Sequence, residues 1–276
     1  MDFNKCDKFV ADFEKAMKHP IKGKSSVYYT GVDLGTSCVV LAVLDENYRP
    51  AAGAMQYADV VKDGMVVDYI GAIRIVKELK AKIEAELGTE LIYAAAALPP
   101  GTDSLDGGAV KNIVQAAGFE ITGLMDEPNA ANKLLNITDG AVVDIGGGTT
   151  GISIIKDGKV VSVVDEPTGG THFSLVLSGA YKIPFEEADR LKRDKKNHKE
   201  FFPLVKAVIE KISTIISRAV SGEQVDTLVL VGGSSCFTGI EAVVEEMTGI
   251  KTVKPKNPMF VTPLGIALNC TDKIIC

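Results

Sequence analysis

The stretch AVVDIGGGTTG, residues 141–151, places a carboxylate between an apolar run and a glycine-rich turn. The apolar residues before Asp144 predict a buried strand, and glycines weaken a strand unless its backbone must approach another group closely. The motif therefore predicts a strand that ends in a tight turn with its amide groups open to a ligand. A shorter version, GVDLGTS, occupies residues 31–37.

The two motifs begin two halves of similar organisation. Each half opens with strand–turn–strand hairpins and continues with strands and amphipathic helices. This order predicts mixed sheets with helices packed around them, and its repetition predicts an internal duplication at domain scale. We therefore expect an α/β protein of two domains with a cleft between them. The first domain is residues 27–140 plus 255–276, and the second is residues 141–254 with a small subdomain at about 175–203.

Residues 1–26 are predicted to form an amphipathic helix and a linker. Phe3, Cys6, Val10, Phe13 and Met17 follow one another at steps of three and four, which places them in one stripe on a helix. This apolar stripe has two interpretations. It packs on the protein's own globular body, or it is a docking peptide for a partner or a shell surface.

Composition and charge exclude several classes of function. The net charge is −6, with 30 basic and 36 acidic residues, which argues against a nucleic-acid or anionic-membrane partner. No apolar run is long enough to span a bilayer. The five cysteines include no CxxC pair, so they fit reduced thiols of a cytoplasmic protein better than disulfides or a zinc site.

The chemistry of the two turns fits phosphate binding. Glycines let backbone N–H groups point into a turn, and Thr36, Ser37, Thr149 and Thr150 can add hydroxyl donors. An acid at the end of the preceding strand repels a phosphate unless a cation lies between them. Mg²⁺ suits that position because it keeps water ligands that carboxylates can hold.

A third stretch, LVLVGGSS at residues 228–235, also runs from a strand into glycines and hydroxyls. Two glycines at the exit of a strand allow an adenosine to lie flat against the backbone. Each motif is weak evidence when taken alone, since Asp-x-Gly turns are most often simple hairpins. Their occurrence in register within a duplicated chain makes the nucleotide interpretation much stronger.

These stretches resemble the motifs of the actin, sugar-kinase and heat-shock-chaperone ATPase superfamily. GVDLGTS and VVDIGGGTTG resemble its two phosphate motifs, and VDTLVLVGGSS resembles its adenosine motif. MDEPNAAN and PLGIAL resemble its two connecting motifs. The resemblance covers nearly the whole chain after the linker and implies a duplicated ribonuclease-H-like, actin-like ATPase fold with a nucleotide in the interdomain cleft.

The resemblance also implies roles for individual residues, and the cofactors would be ATP and Mg²⁺. Asp33 and Asp144 would hold the hydrated Mg²⁺, and Glu127 would orient the attacking water. An alternative for Glu127 is a helix N-terminal acid stabilised by the helix dipole. The nucleotide would contact a larger set: Gly35, Thr36, Ser37, Gly146, Gly147, Gly148, Thr149, Gly169, Gly170, Gly232, Gly233 and Ser234.

Within the superfamily, the chain most resembles a family of chaperone-like ATPases of ethanolamine utilization. YADVVKDGMVVDYIGAIRIV, PPGTD, DEPNAA and MFVTPLGIA carry this likeness. The family is associated with a bacterial microcompartment, so the implied partner is a protein of that pathway or compartment. The resemblance implies a slow Mg-dependent ATPase that acts as a chaperone-like or assembly factor. Two alternatives are a non-hydrolysing nucleotide-binding adaptor and an actin-like filament former, which would be a homo-oligomer.

Three departures from the chaperone pattern concern hydrolysis. The chain is too short to match the inserted subdomain that supplies a phosphate-contacting lysine. Cys236 stands where the chaperones have an arginine, and Met259 stands where their closing motif has an acid. The chain ends at Cys276 soon after the closing helix, so client capture of the heat-shock type is not expected. Residues 189–200, DRLKRDKKNHKE, are expected to be a solvated and mobile surface, with a docking role as the alternative.

Overall fold

The structure is a computed structural model that describes residues 3–22, 25–62, 64–98 and 104–271, with only the backbone of residues 104–107. Residues 23 and 24 of the predicted linker and the whole PPGTD stretch, residues 99–103, lie outside the described residues. The chain forms two units. Unit 1 is Met1–Asn136 with Phe260–Cys276, and unit 2 is Ile137–Met259.

The helices and strands follow one another in the order expected for a duplicated α/β chain. In unit 1 they are α1 (Asn4–Lys18), β1 (Tyr29–Leu34), β2 (Cys38–Leu44), β3 (Pro50–Tyr57), β4 (Val61–Lys62), β5 (Met65–Val66), α2 (Tyr69–Leu87), β6 (Tyr93–Leu98), α3 (Ser104–Ala116), β7 (Glu120–Asp126) and α4 (Glu127–Leu135). Unit 2 contains β8 (Gly140–Ile145), β9 (Thr150–Lys156), β10 (Lys159–Glu166), α5 (Gly170–Tyr181), α6 (Phe185–Lys192), α7 (His198–Ala219), β11 (Thr227–Val231), α8 (Ile240–Thr248) and β12 (Lys251–Val253). Helix α9 (Val261–Ala267) returns to unit 1.

The main sheets of the two units have the same topology. Strand order is β3-β2-β1-β6-β7 in unit 1 and β10-β9-β8-β11-β12 in unit 2. In each sheet an antiparallel hairpin pairs with the first strand, and two parallel strands follow on its other side. The predicted α/β class and its internal duplication are therefore confirmed.

Each sheet buries one face against its own helices. In unit 1, Leu41 and Val43 of β2 share a core with Ile75 and Ile83 of α2. In unit 2, Ile152 and Ile154 of β9 form a core with residues of α5, α7 and α8, including Phe173. These apolar side chains alternate along their strands, so the second face of each sheet carries the intervening residues.

The apolar stripe of α1 packs on the protein's own unit 1. Phe13 is fully buried, its ring lies edge-on to Phe260 at 5.3 Å between centroids, and Cys6 and Val10 are also buried. At Gly53 of β3, a side chain would collide with the Phe13 ring. The first of the two interpretations of this helix is therefore correct for its apolar stripe.

The surface predicted for residues 189–200 was partly wrong. Asp189 and His198 are buried, and the side chain of Lys192 is only 11% exposed. The charge-rich sequence misled the prediction because its charges pair with one another. The other charged residues of this segment are exposed, as the pattern suggested: Arg190, Arg193, Asp194, Lys195, Lys196, Lys199 and Glu200.

Candidate functional site

The two Asp-Gly turns close with the same hydrogen bond. The amide of Gly35 donates to the carbonyl of Cys38 at 3.0 Å, and the amide of Gly146 donates to the carbonyl of Thr149 at 3.0 Å. In both cases the glycine lies two residues after a half-buried aspartate near the end of a strand, Asp33 or Asp144. The sequence repeat is therefore also a repeat of backbone geometry.

In unit 2, the glycine-rich turn meets the first residues of α5. The amide of Gly170 donates to the carbonyl of Gly146 at 3.0 Å, and that of Thr171 donates to Gly147 at 2.8 Å. A Cβ at Gly169 would lie 2.8 Å from both of these carbonyl oxygens. The backbone of Gly146 and Gly147 thus packs directly against the backbone of Gly169 and Gly170. A side chain at Gly169 would not fit between them.

The third motif joins the same turn. The Ser234 hydroxyl donates to the carbonyl of Gly146 at 2.7 Å. Gly232 has φ +88°, and a Cβ there would collide with the Asp144 carboxylate and lie 2.6 Å from the carbonyl oxygen of Ile145. At Gly233, no atom lies within 4 Å of the position that a Cβ would take. Three stretches that are distant in sequence therefore converge on Gly146.

The turn keeps backbone donors available. In the described part of the chain, neither Gly147 nor Gly148 donates its amide to a backbone carbonyl. Successive amides held in a tight turn form a concave group of donors that favours an anion. This arrangement suits a phosphate. The carbonyl groups of Gly146 and Gly147 are not directed at the same ligand, because they accept hydrogen bonds from Gly170, Thr171 and Ser234.

A buried lysine, which the sequence analysis did not single out, supports the start of α5. The Lys192 ammonium donates to the Gly170 carbonyl at 2.8 Å, the Ser174 hydroxyl at 2.8 Å and the Asp189 carboxylate at 2.7 Å. Burial lowers the pKa of Lys192 to about 8. The other Asp189 oxygen accepts from Arg193. The spacing of three between an acid and a lysine on a helix was the signal that could have found this pair.

His198 fixes the backbone of Lys192. Its Nε2 lies 2.9 Å from the Lys192 carbonyl oxygen, its Nδ1 accepts from the Thr238 amide at 3.0 Å, and its ring stacks on Phe237. Because an amide can only donate, Nδ1 carries no proton and Nε2–H donates to the carbonyl. Burial is the main reason that the pKa of His198 lies below its ordinary value.

A second acid of unit 2 touches the glycine-rich turn. The Thr149 hydroxyl donates to the Asp165 carboxylate, yet partial desolvation outweighs this bond and raises the pKa of Asp165 above its ordinary value. The sequence analysis overlooked Asp165 because it lies near the end of strand β10 and belongs to no recognisable motif. The strand pairing of the sheet brings it to the turn.

The predicted residues of unit 1 lie on two elements. Thr36 and Ser37 form the turn between β1 and β2, and Glu127 is the first residue of α4. The helix is capped by Asp126, whose carboxylate accepts from the Asn129 amide at 2.8 Å. Asp126 therefore supplies the cap, and the half-buried Glu127 follows it in the first turn of the helix. Its role in orienting water stays a prediction.

The donor set fits a magnesium ion held through water. Within the described ranges, no group of three His, Cys, Asp or Glu side chains is arranged to bind a metal directly. Mg²⁺ usually keeps several waters and needs only one or two carboxylates, and each unit has one half-buried carboxylate before its glycine turn, Asp33 or Asp144. In the part of the chain that the structure describes, none of the helices combines the length and hydrophobicity that a bilayer span requires.

Comparison with known proteins identifies the family. The ethanolamine utilization protein EutJ of Salmonella typhimurium is 43% identical over 240 residues, which cover 87% of this chain and 84% of that protein. The crystal structure of EutJ from Carboxydothermus hydrogenoformans matches with a TM-score of 0.90 and 47% identity, over 95% of this chain and 97% of that one. The chain belongs to the EutJ family. Its resemblance to the ATPase family of ethanolamine utilization is thus confirmed.

Models of two other families match parts of this EutJ family member. The cell division protein FtsA model matches residues 141–265, and the MreB/Mbl protein model matches residues 50–178. MreB5 of Spiroplasma citri, solved with AMPPNP bound, has a TM-score of 0.70 at 17% identity and covers 88% of this chain and 95% of its own. Together with the two sheets of identical topology, these matches confirm the actin-like ATPase fold.

Proposed function

We propose that the chain binds Mg-ATP at its glycine-rich turns and uses the nucleotide as a switch for a protein partner in ethanolamine utilization. The convergence of the start of α5 and of Ser234 on the glycine-rich turn at Gly146 carries this proposal. A turn held by Gly170, Thr171 and Ser234 keeps its amides in place without a ligand, so a phosphate would bind at little cost in reorganisation. Such preorganised donors are the main requirement of phosphoryl chemistry.

In this proposal each unit contributes one phosphate turn. Gly35, Thr36 and Ser37 would act in unit 1, and the residues from Gly146 to Thr149 would act in unit 2. Asp33 and Asp144 would hold the hydrated Mg²⁺, which neutralises phosphate charge when bound. Glu127 would orient a water molecule for attack on the terminal phosphate. The remaining contacts, to the adenosine, would come from Gly169, Gly170, Gly232, Gly233 and Ser234.

Hydrolysis would be slow. Actin-like ATPases act mainly by positioning and charge stabilisation, so each missing cation raises the barrier. Lys192 is a buried cation beside the start of α5, but its three donors are used by Gly170, Ser174 and Asp189. A long-lived nucleotide complex suits a switch better than a metabolic enzyme.

We further propose that the nucleotide-bound form acts as a chaperone-like or assembly factor in the cytoplasm, associated with the microcompartment of the pathway. Membership of the EutJ family supports the pathway, and the actin-like fold supports a nucleotide-dependent change of surface. The partner would be a protein of this pathway or compartment, bound more tightly in one nucleotide state than in the other.

Calorimetric titration with ATP in Mg²⁺ tests the proposal, with phosphate release followed in the same samples. The native chain should bind ATP and release phosphate slowly, and Asp144→Ala should lose both. Asp157→Ala is a matched control, because Asp157 is an exposed acid in the next hairpin of the same sheet. An absence of binding by the native chain would overturn the proposal and favour an adaptor that kept only the architecture.

A filament former is the second candidate, because actin-like relatives include a filament, that of MamK. Sedimentation and negative-stain microscopy with and without ATP separate the two functions. Polymers that depend on ATP would favour assembly of the chain itself, whereas a monomer or small oligomer that still binds ATP would favour the switch.

A further inference from the structure

Three residues lie side by side across the sheet of unit 2, next to the glycine-rich turn. The register pairs Asp144 of β8 with Gly151 of β9, and it pairs the same Gly151 with Asp165 of β10. Residues directly opposite each other in neighbouring strands point to the same face of a sheet. Asp144 and Asp165 therefore project from one face, two strands apart, and no side chain stands between them.

This face is not the one that packs on the helices of unit 2. Ile145 and Ile152, the neighbours of Asp144 and Gly151 in sequence, are part of the core with α5 and α7. Successive residues of a strand alternate between faces, so the two acids lie on the opposite face. Two strand spacings separate their Cα atoms by about 10 Å.

The corresponding row of unit 1 is different. There the register places Val40 opposite Asp33, and Met55 opposite Val40. A valine fills the central position and a methionine takes the place of the second acid. The second carboxylate and the open central position therefore occur in the row of unit 2 and not in that of unit 1. Because the two sheets have the same topology, this difference comes from the residues and not from the fold.

The bond between Thr149 and Asp165 sets the direction of the Thr149 hydroxyl. A threonine hydroxyl has one proton, and here the proton is donated to the Asp165 carboxylate. The oxygen then offers only lone pairs to its other neighbours. Lone pairs suit the protons of a cation's water shell, whereas a phosphate oxygen needs a donor. In this geometry the Thr149 hydroxyl is therefore better suited to accept a hydrogen bond from a cation's water than to donate one to a phosphate, the role predicted from the sequence.

An independent observation on the same face indicates that a polar group belongs there. Ser153 follows Gly151 on that face of β9, is fully buried, and among the described residues its hydroxyl has no hydrogen-bond partner. A buried hydroxyl without a partner is uncommon, because its desolvation is not compensated. Water retained around a cation would supply the missing partner.

We propose that Asp144 and Asp165 together hold the hydrated magnesium ion that accompanies the nucleotide, with Thr149 turned towards the ion's water shell. This inference rests on the proposed function. It assigns a role to Asp165, which no motif indicates, and makes unit 2 the main holder of the cation. Asp33 would then contribute to the nucleotide site with a single carboxylate.

The Mg²⁺ requirement of ATP binding tests the inference. Calorimetry at fixed ATP and increasing Mg²⁺ gives the half-saturating concentration, and a titration in EDTA gives metal-free affinity. In Asp165→Asn the amide oxygen still accepts from Thr149, but the charge is lost. We expect the half-saturating Mg²⁺ concentration to rise by about ten- to a hundred-fold, with metal-free affinity unchanged. Glu166→Gln is the control, since Glu166 is paired with Thr150 on the opposite face.

A second variant keeps the test valid if Asp165→Asn folds poorly. Thr149→Val retains the shape of the side chain without its hydroxyl, and it should also raise the Mg²⁺ requirement. Circular dichroism and thermal melts establish that each variant is folded. An unchanged Mg²⁺ requirement in folded Asp165→Asn overturns the inference and leaves the proposed function standing. A native chain that binds no ATP at any Mg²⁺ concentration overturns both.

Discussion

The ammonium of Lys192 donates to the carbonyl of Gly170 at 2.8 Å, and the amide of Gly170 donates to the carbonyl of Gly146 at 3.0 Å. A side chain on α6 is therefore connected through one residue to the glycine-rich turn. Ser174 and Asp189 take the other two protons of the ammonium. Lys192 thus links the small helices of unit 2 to the proposed phosphate site without itself being free to bind a phosphate.

Lys192→Met should loosen the start of α5 and weaken ATP binding. Methionine fills a similar volume but donates nothing, so Gly170 and Ser174 lose a partner and Asp189 keeps only the bonds from Ser174 and Arg193. Removing one partner of a buried charged pair is strongly destabilising. Hydrogen exchange at the amides of Gly170 and Thr171 should accelerate by at least about tenfold, a change worth 1.4 kcal/mol.

Lys196→Met is the control for this prediction, because Lys196 is an exposed lysine a few residues further along the chain. It should leave both exchange and ATP affinity unchanged. If Lys192→Met matched the control in both measurements, the connection from Lys192 to the turn would have no energetic importance.

Gly232→Ala should reduce ATP binding more than its backbone conformation alone explains. Residue 232 has φ +88°, and a Cβ there would collide with the Asp144 carboxylate. Gly222→Ala is a matched control, because its φ is +85° and no atom lies within 4 Å of the added Cβ. Both variants carry the left-handed backbone penalty of about 1–2 kcal/mol. Calorimetry should show a loss of ATP affinity for Gly232→Ala only, and equal affinities would contradict a collision at Asp144.

The sequence predicted the parts of this site that depend on backbone and missed those that depend on side-chain pairing. Strands, glycine turns and their repetition leave a local pattern, so the turns that follow Asp33 and Asp144 could be found without coordinates. Asp165 could not, because only strand register brings it opposite Gly151. The burial of Lys192 was also hidden, because a run of charges looks the same in sequence whether its members face solvent or each other. The roles of the predicted nucleotide contacts stay predictions.

Phe13→Ala should destabilise unit 1 because α1 is part of its core. Phe13 is fully buried against Phe260 and the Gly53 backbone. Truncation of such a ring costs about 3–5 kcal/mol. Urea unfolding measures the loss, and Phe9→Ala, on the half-buried side of the same helix, should cost clearly less. Equal and small losses for both variants would show that the helix is not needed for stability and would reopen a docking role.

Mild acid should destabilise the fold through His198. Burial lowers the pKa of His198 in the folded state, so the unfolded chain binds more protons wherever pH lies between the folded and unfolded pKa values. The free energy of unfolding should therefore rise with pH through this window and fall as pH drops below about 6.5. Protonation of Nδ1 would also break its bond with the Thr238 amide. The nearby charges on Lys195 and Lys254 oppose protonation, while Asp194 favours it.

His198→Asn isolates this contribution. The amide oxygen of asparagine can accept from the Thr238 amide, as Nδ1 does, but it does not titrate. The variant should be less stable at neutral pH, because the bond to the Lys192 carbonyl and the stacking on Phe237 are lost. It should also lack the part of the acid destabilisation that His198 causes. His19→Asn, at an exposed position after α1, should keep the native pH profile. Parallel pH profiles for the native chain and His198→Asn in urea unfolding would exclude His198 as the titrating group.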